Sequence, residues 1–83
     1  MDIKKRIIKI LEEIFGNDMS RETFQRINLI TNAGMDSLSF IALVVSIEDE
    51  FDIEIEFEDI EITNFQTLDS ICEIIKKYYT NGM

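Results

Sequence analysis

The chain has 83 residues, of which 46% are apolar and 30% charged, with a formal net charge of −9. A domain of this length buries only about 60–65% of the surface its unfolded chain exposes, which argues against a large internal substrate cavity. The apolar content at helical spacing excludes disorder, and the acidic balance repels nucleic acid and anionic lipid.

Asp2 is placed to cap a first helix over about 2–15, whose positions Ile3, Ile7, Ile10, Leu11 and Ile14 follow the 3–4 spacing of a buried stripe closed by Phe15. Gly16-Asn17 ends it. Lys4, Lys5, Arg6 and Lys9 crowd this segment, but Glu12 and Glu13 interrupt the charge and no small-residue cleavage site follows. It therefore reads as a helix kept on the mature protein, with a cytoplasmic location expected. A long first loop comes next, in which Ser20 starts a short turn through Phe24, and Leu29 and Ile30 can tuck under the helices. The second helix covers about 37–51, and its apolar run from Phe40 to Val45 is far too short to span a membrane.

Beyond it, Phe51, Ile53, Ile55 and Phe57 alternate with Asp52, Glu54 and Glu56 at a strand's period. No second strand-like run exists to pair with this one, so an extended loop that inserts Ile53 and Ile55 into a helical core is expected. A short third helix over about 57–61 follows. Thr67 then caps a fourth helix over about 67–79, with Asp69 near its positive end and Lys76 and Lys77 near its negative end. Leu68, Ile71, Ile75 and Tyr78 form its buried stripe, and Asn81-Gly82 stops it. The expectation is one all-α domain over 1–83: a small four-helix bundle with a long first loop and a short third helix.

All eight basic residues lie toward the chain ends, six from Lys4 to Arg26 and then Lys76 and Lys77. Ile27 to Ile75 contains no Lys or Arg but twelve Asp and Glu. Such a surface attracts basic patches on other proteins. Within it, Asp36-Ser37-Leu38 follows Gly34-Met35 and leads straight into the second helix, so Ser37 stands at a helix N-terminus suited to a phosphate. The chain has no histidine to activate that serine, and every lysine is distant in sequence, so modification of Ser37 is favoured over catalysis by it. No catalytic residue and no metal site are assigned: Cys72 is the only cysteine, and no segment has the ligand spacing of a calcium loop. The position of Cys72 on the apolar side of the last helix marks it as a buried structural thiol.

The second helix is apolar on more sides than one core contact requires. Phe40, Leu43, Val44, Ile47 and Phe51 make a sufficient core stripe, while Leu38, Ile41 and Val45 make another, with Asp36, Glu48 and Asp49 around it. That second stripe is either further core or a surface committed to a partner.

Gly34-Met35-Asp36-Ser37-Leu38 resembles the Gly-x-Asp-Ser-Leu motif of acyl carrier proteins, and the resemblance runs from Asp2 to about Tyr79. The segment from Ile47 to Ile55 is similar to the end of the second helix in those carriers, and Thr67-Leu68 followed by Ile71 to the start of their fourth. The resemblance implies a bundle of the acyl-carrier type and a non-catalytic protein whose Ser37 bears 4′-phosphopantetheine. A separate phosphopantetheinyl transferase would install it from coenzyme A, and the arm's thiol would hold acyl intermediates as thioesters. It further implies that Asp36 helps present Ser37 to the transferase. Leu38, Ile41, Val45, Glu48 and Asp49 would dock acyl-loading and acyl-processing enzymes that carry basic patches, the carrier itself being a monomer. Ser39 and Ala42 stand where fatty-acid carriers often have acidic residues, and Ala33 where leucine is more usual. Fatty-acid synthesis and polyketide or other specialised assembly are thus equally open. A stand-alone aminoacyl or peptidyl carrier and an unmodified helical adaptor remain the alternatives.

Overall fold

The computed structural model describes residues 2–16 and 20–81, and their side chains except those of Arg21 and residues 79–81. The expected stop signals at Asn17 and Gly82 lie outside the described residues. Three long helices carry the fold: α1 (Ile3–Phe15), α4 (Ser37–Phe51) and α5 (Leu68–Asn81). Two single-turn helices, α2 (Arg21–Phe24) and α3 (Leu29–Asn32), lie in the first connection, and no strand occurs among the described residues.

α1 starts where Asp2 Oδ1 accepts the Lys5 N–H at 3.2 Å and ends at Gly16, whose φ of 94° suits glycine. Ile7, Ile8, Ile10 and Leu11 are buried, while Ile3, Ile14 and Phe15 pack half-buried at the stripe's ends. Arg6 clasps α1 to the end of α4. Its Nε donates to Glu50 Oε2 at 2.8 Å, its Nη2 reaches the Glu50 carbonyl, and its guanidinium lies 4.3 Å from the Phe51 ring centre.

In the first connection, Ser20 Oγ caps α2 and Asn28 Oδ1 caps α3 through the N–H groups of Ile30 and Thr31. Phe24 and Leu29 are fully buried, so this long segment closes the bundle rather than looping free of it. The Leu29 N–H donates to the Gln66 carbonyl at 2.6 Å, which ties the connection to the start of α5.

α4 turns Leu43, Val44, Ile47 and Phe51 into the core and ends at Asp52, a left-handed residue with φ 52°. The chain then runs extended. Ile55 is buried and Ile53 half-buried, so the alternating segment packs as the inserted loop that the lack of a pairing partner implied.

The short third helix expected over about 57–61 forms as a single 3-10 turn, Phe57–Asp59, and a second 3-10 turn, Ile62–Phe65, follows it after a break at Ile60 with ψ 75°. The β-branched Ile60, Ile62 and Thr63 disfavour a continuous helix, and Asn64 Nδ2 binds the Asp59 carbonyl at 3.1 Å across the break. The bundle is therefore all-α as expected, with a third helix of one 3-10 turn. α5 begins with a reciprocal cap, in which Thr67 Oγ1 accepts the Ser70 N–H and Ser70 Oγ accepts the Thr67 N–H, both at 3.1 Å. Cys72 is buried on this helix, and burial pushes its thiol pKa up.

The first 3-10 turn is pinned to α5 by polar contacts. Tyr78 Oη donates to Asp59 Oδ2 at 2.5 Å and accepts the Glu56 N–H at 2.8 Å, and Lys77 Nζ lies 2.9 Å from the same Asp59 oxygen. The Tyr78 hydroxyl, and then Lys77, hold the Asp59 carboxyl below the usual aspartate range. A carboxyl whose pKa is lowered by folding stabilises above its unfolded value of about 3.9 and loses that contribution as pH falls through the folded value. Asp59→Asn should therefore melt below the wild type from pH 5 to 7, with the gap closing under about pH 4. A gap that stays constant down to pH 3 would show that the carboxylate's charge is not what holds the turn.

Candidate functional site

Ser37 is the first residue of α4, exposed, and its hydroxyl makes no hydrogen bond among the described residues. The turn that delivers it uses Gly34 at φ 70° and then buries Met35, which fixes the chain just before the helix. Asp36 is the N-cap. Its Oδ1 accepts the Ser39 N–H at 2.9 Å, and Ser39 Oγ accepts the Asp36 N–H at 2.9 Å, closing a reciprocal capping box. The Ser39 hydroxyl also lies 3.0 Å from Asp36 Oδ1. The Ser39 N–H, and then its hydroxyl, hold the Asp36 carboxyl below its ordinary pKa, so it is ionised at neutral pH. Ser39 is thus committed to the cap, while Ser37 presents its hydroxyl to solvent. The Asp-x-x-Ser spacing signals this box, and the sequence reading passed over it.

The second apolar stripe of α4 is surface. Leu38, Ile41 and Val45 are 79%, 58% and 55% exposed, because α1 packs against the helix's other side. Asp49 is exposed beyond them. Glu48 is half-buried, and its Oε2 accepts the Ile55 N–H at 2.9 Å, so it helps to anchor the loop after α4. This contact depends on how the chain returns past the helix, and no local pattern announces it. Among the described residues no helix is long and apolar enough to cross a membrane, and no cluster of Asp, Glu or Cys is arranged to hold a metal.

The family described as "Phosphopantetheine attachment site" matches residues 5–75. A protein named "Acyl carrier protein" from Buchnera aphidicola subsp. Baizongia pistaciae (strain Bp) is 36% identical over 77 residues, covering 93% of this chain and 95% of that protein. The chain belongs to the acyl carrier protein family. No solved structure gives a significant match.

Acyl carrier proteins are carriers, not catalysts, and receive their phosphopantetheine from a separate transferase. The structure suits a covalent group of this kind. An exposed, unpartnered hydroxyl on the first residue of a 15-residue helix leaves room for a phosphodiester, and the helix's positive end favours its charge.

Proposed function

We propose that Ser37 bears the 4′-phosphopantetheine of this acyl carrier, and that Leu38, Ile41 and Val45, with Asp49 and Glu48, form the face on which its enzymes dock. The observation that carries the docking face is the exposure of three large apolar residues in one row on a helix whose other side is fully committed to the core. Apolar anchors inside a charged rim are the usual composition of a protein–protein interface. When bound, the arm supplies a thiol that holds an acyl group as a thioester. The chain's own residues supply an accessible serine, an ionised Asp36 beside it to meet the transferase, and carboxylates that attract basic partners.

Family membership favours an acyl over an aminoacyl cargo. Two pathways fit equally: fatty-acid synthesis, and polyketide or other specialised assembly, the latter supported by Ser39 and Ala42 in place of acidic residues. We place the protein in the cytoplasm as a monomer.

Incubation of the apo-protein with coenzyme A and a broad-specificity phosphopantetheinyl transferase should add one phosphopantetheine, read as intact mass. An unchanged mass would remove the carrier reading in favour of an unmodified adaptor. In the same assay Ile41→Ala should raise the KM for the carrier about tenfold, as loss of an interface anchor does, while shifting folding stability by no more than about 0.5 kcal/mol. A stability loss above about 2 kcal/mol would instead mark Ile41 as core.

A further inference from the structure

Phe57 is the most exposed large apolar residue described, at 90%, and neither the core nor the stripe on α4 accounts for it. An exposed aromatic on a frayed loop would mean little. The turn that holds Phe57 is fixed on both sides: the Ile55 N–H is bound by Glu48 with its side chain buried, the Glu56 N–H by Tyr78, and Asp59 by Tyr78 and Lys77. The ring is thus presented on a rigid support. Its backbone ordering has been met by folding, which lowers the cost of using it in an interface.

The position of the turn follows from Glu48. At 100° per residue, Leu38, Ile41, Val45 and Glu48 fall on one side of α4 in successive steps, so the carboxylate that grips Ile55 belongs to the apolar row. The Phe57 turn therefore continues that row beyond its Glu48 end. Ser37 to Glu48 is about 17 Å at 1.5 Å per residue. A standard interface of about 800 Å² per partner is roughly 30 Å across, so an enzyme seated over Ser37 and along the row also covers Phe57. The ring is flanked by the exposed Glu54, Glu56 and Glu58, and Lys77, the nearby cation, is paired with Asp59.

We propose that Phe57 is a second docking anchor, which inserts into an apolar pocket bordered by lysine or arginine on the phosphopantetheinyl transferase. The proposal rests on the assignment of Ser37 and the α4 face above. The transferase is the partner that family membership implies, and charge complementarity sets the chemistry of its pocket.

The test varies the apo-carrier concentration with a broad-specificity transferase at saturating coenzyme A, for wild type, Phe57→Ala, Phe57→Lys and Phe57→Met. Phe57→Ala should raise KM about tenfold with kcat unchanged. Phe57→Lys should raise it further by setting an ammonium against the basic rim, and Phe57→Met should restore most of the wild-type value. Melting temperatures should not change, since the ring buries nothing. Equal KM values for wild type, Phe57→Ala and Phe57→Lys, with normal loading, would overturn the anchor while leaving Ser37 as the attachment site. A wild type that dimerises by sedimentation and is made monomeric by Phe57→Ala, with KM unchanged, would assign the ring to a second copy of the chain and overturn the proposal. Failure of the wild type itself to be loaded would remove the reading beneath it.

Discussion

Replacing Phe65 with alanine should lower folding stability by about 3–5 kcal/mol, the range for truncating a buried phenylalanine. Phe65 is fully buried at the end of the second 3-10 turn and meets Phe40 edge-on, with ring centres 5.4 Å apart and planes inclined at 64°. It joins α4 to the segment that leads into α5, next to the Gln66 carbonyl that receives the Leu29 N–H. Truncation leaves a cavity where three parts of the chain converge. Small domains hold roughly 5–15 kcal/mol in total, so the variant should sit close to unfolding. Urea denaturation measures this directly. A loss below about 1 kcal/mol would mean that the turn is not part of the cooperative core.

The second large effect is functional and should leave the fold intact. Ser37→Ala should abolish phosphopantetheine addition completely, because the carrier's contribution to the chemistry is its hydroxyl oxygen. That oxygen would attack the pantetheine-bearing phosphorus of coenzyme A, breaking its phosphoanhydride bond so that adenosine 3′,5′-bisphosphate leaves, and its proton would pass to a base on the transferase, since this chain has no histidine. Stability should hold, because the helix is capped by Asp36 and Ser39, not by Ser37, and alanine is a good helix former. Residual loading of Ser37→Ala would put the attachment elsewhere, and a misfolded variant would reveal a structural role for the hydroxyl.

Much of the fold was legible because its signals are local. Asp2, Gly16 and Thr67 stand at helix ends as their side chains or backbone freedom demand, and the 3–4 spacing of Ile7, Ile10 and Leu11 marks the buried face of α1. The alternation from Phe51 to Phe57 was legible in part. Ile55 points inward, whereas Phe57 does not, because the 3-10 turn starting at Phe57 breaks the strand-like period there. The shortness of the third helix has a related cause, since contacts of Asp59 with Tyr78 and Lys77, about nineteen residues away along the chain, hold a bent turn in place.

The site divides the same way. The Asp36-Ser37-Leu38 motif and the helix start behind it could be read directly, and so could the existence of two apolar stripes on α4. Whether the second stripe is further core or surface could not, because that depends on which sides of the helix the rest of the chain covers. Glu48 shows the limit most clearly: its acidity suggested a docking group, and the fold also uses it to hold Ile55.

The most direct test of the account is to purify the protein from its native host and fragment it in the mass spectrometer to locate the modification. The expected result is a single phosphopantetheine on Ser37, with Ser39, committed to the cap of α4, unmodified. A group found on Ser39 or on any other serine, or no group at all, would contradict it.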